Sequence, residues 1–391
     1  MSQGIAILGS TGSIGRNALR VLDALGPEYR VVALSAHSNV ELLAEQARRY
    51  KPRFAAVTNG DSAAKFRAMM NGVDIEILSG QDSLTRLVQH EEVDTILTAV
   101  VGAAGLPSAL AAAKAGKRLA IANKEPLVMA GELLTRTARE HGSMLLPIDS
   151  EHSAVFQALQ SGSASEVQRI LLTGSGGPFR GATLDELQDV TREQALAHPV
   201  WNMGPKITID SATMMNKALE VIEARWLFDV PVDRIEVLIH PESIVHSLVE
   251  FVDGSVIAQL GEPEMCLPIQ YALTYPRRVA GVSKRLRLEE IGLLHFERPD
   301  PQTFRALPLA YEVARTGGTA AAVFNAANEA AVEEFLAGRI AFLQIMEVVE
   351  SCLDKHDVRH TKCLDELLEA DAWARREVKE RLRQTVRGLK P

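Results

Sequence analysis

Two short acidic stretches in this chain could assemble a cation site. Asp149-Ser150-Glu151 closes the apolar run MLLPID, and residues two apart on extended chain point to one side, so both carboxylates could face one ion. Acidic residues at a strand end are more often solvated or helix-capping, and the pair alone argues weakly. The segment 210–220, DSATMMNKALE, adds more. If it is helical from about Ala212, Asn216 and Glu220 lie four apart and Lys217 and Glu220 three apart, so an amide, an ammonium and a carboxylate share one face. Lys217 and Glu220 could equally pair on a surface helix, but the neighbours Met214, Met215, Leu219 and Ile222 argue that the face is partly enclosed. Asp149, Glu151 and Glu220 offer only oxygen, with no Cys or paired His nearby, a set that selects a hard ion such as Mg²⁺ or Mn²⁺.

Other segments suit anions. Gly9-Ser10-Thr11-Gly12-Ser13-Ile14-Gly15 follows the first apolar run and opens an amphipathic stretch. There glycines permit a tight turn and bring backbone N–H groups against a pyrophosphate, although such a turn also serves packing alone. At the end of the second apolar run, where an acidic residue would favour NAD, stands Ser35-Ala36-His37-Ser38-Asn39; without a carboxylate it tolerates a 2′-phosphate and points to NADP. The same residues also suit a loop and helix cap. Thr173-Gly174-Ser175-Gly176-Gly177-Pro178 offers bare N–H groups and a hydroxyl, a phosphate cradle expected near Ser211 and Lys217, or a flexible turn. His198-Pro199-Val200-Trp201-Asn202-Met203-Gly204-Pro205-Lys206 reads as a loop closing over a small substrate, or one merely anchored by Trp201.

These residues need a scaffold, and the 391-residue chain is long enough for two or three domains. Up to about Asp149, the runs GIAILG, RVVALSA, FAAVT, IEIL, DTILTAV, RLAIAN and MLLPID alternate with amphipathic stretches, which predicts β-α repeats and a mainly parallel sheet. The fold class expected is α/β, with a Rossmann-like nucleotide domain over 1–149 and an α+β domain over 150–275. The latter has strands at VQRILLTG, RIEVLIHP and SVIAQLG and a helix from about Met214 to Phe228. A connecting segment over 276–308 and an α-helical bundle over 309–391 complete it.

Composition narrows the class further. Lys and Arg number 42 against 50 Asp and Glu, a net charge of -8 with no basic block, so nucleic acid is not an expected partner. Cys266, Cys352 and Cys363 are scattered, without the spacing of a zinc or redox pair. With no signal-peptide pattern and no membrane-length apolar run, a cytoplasmic protein without a membrane partner is expected.

Nine stretches in order along nearly the whole chain carry a resemblance. They are GSTGSIG, ANKE at 122–125, LLPIDSEH at 145–152, LLTGSGGPF at 171–179, HPVWNMG at 198–204, DSATMMNKALE at 210–220, IEARWLF at 222–228, LIHPESIVHS at 238–247 and NAANE at 325–329. Together they closely resemble the 1-deoxy-D-xylulose 5-phosphate reductoisomerase family. The resemblance implies an N-terminal NADPH-binding domain, a central catalytic domain through which two subunits form a homodimer, and a C-terminal helical bundle. By motif, Asp149, Glu151 and Glu220 would hold the metal. Ser175, Ser211, Asn216 and Lys217 would bind the sugar phosphate, with Ser150, Glu151, Lys124 and Glu220 also at the substrate, Ser150 and Lys124 nearer the reacting carbons. His198, Trp201 and Met203 would form the lid. Thr11, Gly12, Ser13, Ile14, Asn123, Lys124 and Glu125 would contact cofactor, with Gly9, His37, Ser38, Asn39 and Gly204 completing that set.

The chain departs from the family pattern at Pro126, where Ser is familiar after ANKE, and at Val200, where Asn is common. Where some members have Ala-Gly-Lys-Asn, Ala36-His37-Ser38-Asn39 stands, so a 2′-phosphate contact there must come from His37, Ser38 or another group. The activity implied is rearrangement of 1-deoxy-D-xylulose 5-phosphate to a branched aldehyde, then hydride transfer from NADPH to give 2-C-methyl-D-erythritol 4-phosphate. Lys124 and Glu151 are the candidates for moving protons. The competing readings are a simpler NAD(P) dehydrogenase, indifferent to chelator, and a non-catalytic regulator that binds NADPH without consuming it.

Overall fold

All seven apolar runs of the first 149 residues form strands. In the computed structural model these are Gln3–Leu8 (β1), Tyr29–Ala36 (β2), Phe54–Val57 (β3), Glu76–Ser79 (β4), Thr95–Thr98 (β5), Arg118–Ile121 (β6) and Met144–Pro147 (β7). The structure describes residues 2–201 and 203–388, so Asn202 of the expected lid and the last three residues of the expected helical region lie outside the described residues. The strands make one parallel sheet in the order β4-β3-β2-β1-β5-β6-β7. Short runs such as Ile5–Leu8 and Phe54–Val57 are buried throughout, as expected of a sheet covered on both faces. Helix Ser13–Leu25 buries Ala18, Leu19, Val21 and Leu22, one stripe at helical spacing.

The chain divides into two compact units. The first comprises Met1–Pro126, Leu134–Ser153 and Glu264–Arg285. Its last piece, read from sequence as the end of the second region and the start of the connecting segment, carries helix Cys266–Thr274, which packs against helix Ser13–Leu25 and against β6 and β7. The unit is a doubly wound Rossmann-like layer.

The second unit comprises Leu127–Leu133, Ala154–Pro263 and Leu286–Pro391. Val167–Gly174 (β8), Ile235–Ile239 (β9), Val245–Phe251 (β10) and Val256–Leu260 (β11) form a mixed sheet in the order β11-β10-β8-β9. β8 and β9 run parallel, while β10 is antiparallel to both β8 and β11. Helix Met215–Leu227 packs on β8 and β9. Helices Ala306–Thr316, Ala320–Leu336, Gln344–Lys355 and Leu364–Gly388 follow. Ala320–Leu336 is buried nearly all round, and its alanines let the other three pack against it.

Two local expectations are corrected. Residues 210–220 are not one helix from about Ala212: helix Pro205–Ala212 stops, Met214 adopts φ 61°, and a new helix begins at Met215. The Thr213 hydroxyl bonds back to the Ile209 carbonyl, diverting the chain at the break. Asp149 and Glu151 do not lie on extended chain either. Strand β7 ends at Pro147 and helix Ser150–Ala158 begins at once, with the Asp149 carbonyl accepting from Ser153 N at 2.7 Å, so Asp149 occupies the cap position.

Candidate active site

In the first unit, the turn after β1 is pinned by backbone crowding and by a buried polar network. A Cβ at Gly9 would stand 2.4 Å from the Ala99 carbonyl oxygen, and one at Gly15 would stand 2.4 Å from that of Gly9. Neither position has room for a side chain. Gly9 N donates to Ser35 Oγ (2.9 Å), Ser10 N to the Ser35 carbonyl (2.8 Å), Ser10 Oγ to Gln46 Oε1 (2.7 Å), and Gln46 Nε2 to the Ser10 carbonyl (3.0 Å). Ser35 therefore holds the turn from inside. Gln46 is a further positioning residue, carrying no sequence signal beyond a polar residue on a helix's buried stripe.

Gly12 differs from its neighbours. It begins helix Ser13–Leu25 with no side-chain cap, and a Cβ there would meet only the Gly9 carbonyl at 3.4 Å. Gly12 and Ser13 are exposed, with Thr11 and Ile14 half-buried beside them. Uncapped first-turn N–H groups on an open approach suit a pyrophosphate. At the end of β2, His37 Nδ1 lies 2.8 Å from Thr58 Oγ1 and Ser38 is exposed. The Asn39 side chain accepts from Leu42 N, the helix-cap role. Asn123 is buried, yet neither atom of its amide has a hydrogen-bond partner among the described residues. Such a group is available to a bound ligand.

Lys124 and Asp149 meet at 2.6 Å, both nearly buried. Burial pushes the Asp149 carboxyl up, but the Lys124 ammonium and the fully buried His152, its Nδ1 3.8 Å from Asp149 Oδ1, outweigh it and hold the carboxyl well below the usual range. Ser150 Oγ donates to Glu151 Oε2 at 2.6 Å. Glu125, which opens helix Glu125–Glu140, is buried.

In the second unit, the loop after β8 is drawn tight. A Cβ at Gly174 would stand 2.8 Å from Lys217 Cε, and one at Gly177 2.6 Å from the Ser211 carbonyl oxygen, so these glycines let the loop approach both residues. Ser175 Oγ accepts from Gly177 N (3.2 Å) and lies 3.1 Å from His198 Nε2. His198 Nδ1 accepts from Val200 N and Trp201 N at 3.1 and 2.9 Å, which leaves the ring proton on Nε2, directed at Ser175. Burial lowers the His198 pKa, which favours the neutral ring. The Trp201 ring leans on His246 at 6.4 Å, Met203 is half-buried, and Gly204 starts helix Pro205–Ala212.

Asn216 Nδ2 donates to Glu220 Oε1 at 2.6 Å, and Lys217 Nζ to Glu220 Oε2 at 2.5 Å. Lys217 and Glu220 are 4% and 0% exposed, so this is no surface pair. Helix Pro205–Ala212, which carries Ser211, is tied down by the buried Asp210, whose carboxylate accepts from Asn328 Nδ2 at 2.9 Å and forms an ion pair at 2.7 Å with Lys206 of the same helix. Asp210, Asn328 and Lys206 carry no chemical signature in the sequence beyond the NAANE motif that contains Asn328.

Comparison with known proteins decides the family. Residues 5–131 match the family 1-deoxy-D-xylulose 5-phosphate reductoisomerase, residues 145–228 its C-terminal domain, and residues 260–377 the DXP reductoisomerase C-terminal domain. The 1-deoxy-D-xylulose 5-phosphate reductoisomerase of Symbiobacterium thermophilum is 54% identical over 379 residues, covering 96% of this chain and 97% of the relative.

The chain belongs to the 1-deoxy-D-xylulose 5-phosphate reductoisomerase family.

The family enzyme of Methylobacillus flagellatus is 49% identical over 380 residues, covering 96% of each chain. Among solved structures, the Zymomonas mobilis enzyme in complex with NADPH superposes with a TM-score of 0.91 at 41% identity, covering 98% of this chain and 99% of that one. A DOX-P reductoisomerase in complex with NADPH, fosmidomycin and magnesium gives 0.92 at 42% identity, covering 97% and 98%. The Rossmann-like N-terminus and helical C-terminal region are those of this family.

Proposed function

We infer that this chain is the NADPH-dependent reductoisomerase that converts 1-deoxy-D-xylulose 5-phosphate to 2-C-methyl-D-erythritol 4-phosphate in isoprenoid biosynthesis. The carrying observation is the near-full-length identity to enzymes of that name. The readings as a simple dehydrogenase or a non-catalytic regulator give way to it. No helix among the described residues is long and apolar enough to cross a membrane.

The residues present fit both groups that this reaction uses. Uncapped N–H groups behind Gly12 and the orphaned Asn123 amide suit a dinucleotide. For the cation, the proposed ligands are Asp149, Glu151 and Glu220. Asp149 already carries the ammonium of Lys124, and Glu220 that of Lys217, which marks both as carboxylates that hold positive charge. All three are oxygen donors, the chemistry of Mg²⁺ or Mn²⁺.

When bound, NADPH supplies the hydride and a divalent cation supplies positive charge for the oxyanions of the rearranging carbon skeleton. Ser175, Ser211, Asn216 and Lys217 bind the substrate phosphate and hydroxyls, and the neutral His198 donates from Nε2. Lys124 at Nζ and Glu151 at its carboxylate move the protons, with Ser150 orienting Glu151. His198, Trp201 and Met203 cover the substrate and exclude water from the aldehyde. Thr11, Gly12, Ser13, Ile14 and Asn123 to Glu125 bind the cofactor, with His37 and Ser38 at its 2′-phosphate and Gly9 and Gly204 at the margins of that site.

In this reading residues 1–149 bind NADPH, 150–275 carry catalysis and the contacts of a homodimer, 276–308 connect, and 309–391 form the helical bundle, in a cytoplasmic enzyme. The test follows loss of reduced nicotinamide absorbance with 1-deoxy-D-xylulose 5-phosphate, with and without EDTA. Consumption that requires both sugar phosphate and metal is expected; consumption untouched by EDTA would remove the metal from the mechanism.

A further inference from the structure

The edge of the first unit's sheet opposite the glycine turn holds a cleft that this reaction does not use. Gln3, Tyr29 and Arg118 are the first residues of β1, β2 and β6, at the amino-terminal edge. Nucleotides lie against the carboxyl edge of such sheets. The chain leaving helix Cys266–Thr274 passes here, and Tyr275, Pro276 and Arg277 form one wall. The cleft measures about 840 Å³, a size that takes small organic ligands.

Its chemistry is cationic on one side and apolar on the other. Arg118 Nη2 donates to the Tyr275 carbonyl at 2.7 Å, while its Nε is buried with no hydrogen-bond partner and no carboxylate pairs with it among the described residues. Burial presses the guanidinium toward a lower pKa, as for a cation lacking compensation. At the rim, Arg277 Nη2 bonds Glu28 at 3.1 Å and Tyr29 Oη at 3.2 Å. Arg277 and Glu28 are 61% and 67% exposed, a weak pair that leaves Arg277 able to turn toward a ligand. Pro27, Leu273, Pro276 and the tyrosine rings supply the apolar walls.

An orphaned buried N–H on a charged group calls for an anionic partner. Arg118 and Arg277 both line the cleft, so an anion seated in it meets two guanidinium groups. Arg118 and Arg277 against Glu28 leave one positive charge, which suits a monoanion. We propose that this cleft binds a small organic carboxylate, its oxygens on Arg118 with Arg277 at the rim and its apolar body against Tyr29 and Tyr275.

Benzoate is a suitable probe, with benzamide as its uncharged isostere, titrated calorimetrically into the whole protein with and without saturating NADPH. Benzoate is expected to bind in both conditions, about tenfold or more tightly than benzamide, because the charge-assisted pair is lost in the amide. R118Q should abolish the difference. Since R118Q also removes the donor to Tyr275 and could impair folding, the exposed R277Q is an independent arm, expected to weaken benzoate severalfold while NADPH affinity and turnover stay unchanged. Equal affinity for benzoate and benzamide, no benzoate binding at millimolar concentration, benzoate affinity unchanged in R277Q, displacement by NADPH, or tighter binding of inorganic phosphate than of benzoate would each overturn the proposal.

Discussion

Glu220 and Asn123 test opposite situations, a polar group fully engaged and one left without a partner. Glu220 is buried and bonded by both Asn216 and Lys217. Glu220→Gln keeps the shape and removes the charge, so the Mg²⁺ concentration for half-maximal activity should rise about tenfold or more. NADPH affinity, read by nicotinamide fluorescence, should change less than twofold. Unchanged activity at limiting Mg²⁺ would take Glu220 out of the ligand set. Asn123 has an amide with neither atom bonded among the described residues. An orphaned buried amide costs about 1–3 kcal/mol, so Asn123→Ala should leave the melting temperature of the NADPH-free protein unchanged or higher while weakening NADPH about tenfold. A drop in stability without any change in NADPH affinity would make Asn123 structural.

At the scale of elements, the glycine turn and the His198 loop make separable predictions. Gly15→Ala forces a methyl to within 2.4 Å of the Gly9 carbonyl, and overpacking of this kind costs about 1–3 kcal/mol; chemical denaturation should show it. Gly12→Ala has room, yet its methyl occupies the anion's approach, so stability should hold while NADPH affinity falls about tenfold. The reverse pattern would assign Gly12 to packing. His198 has its pKa depressed by burial from 6.5. Its folded value lies below its unfolded value, so its contribution is complete above pH 6.5 and is lost as pH falls through the folded value. His198→Gln should flatten that part of the melting-temperature profile; an unaltered profile would mean the ring titrates normally.

Across the whole molecule, the thiols report how far the fold protects its interior. Burial pushes the Cys352 thiol up to about 11 and raises that of Cys266, while Cys363 is exposed. Since the thiolate is the reactive form, an alkylating reagent at pH 8 should modify Cys363 alone in the native protein and all three cysteines after denaturation, as read by intact mass. Rapid native labelling of Cys352 would show that the helices around it open readily. The elements themselves were legible in the sequence wherever the signal is local. Seven apolar runs became seven parallel strands, the helix expected from about Met214 to Phe228 became Met215–Leu227, and the glycine turn fell between β1 and its helix, because chain length, periodicity and turn residues act between near neighbours. What the tertiary structure alone decided depends on residues far apart in sequence. It set the order β4-β3-β2-β1-β5-β6-β7 and returned Glu264–Arg285 to the first unit. It also turned Ser35 inward onto the glycine turn and bound Asp210 to Asn328, 118 positions away. Such pairings are chosen by which buried donors and apolar faces satisfy one another in three dimensions, and a one-dimensional pattern carries no record of that choice.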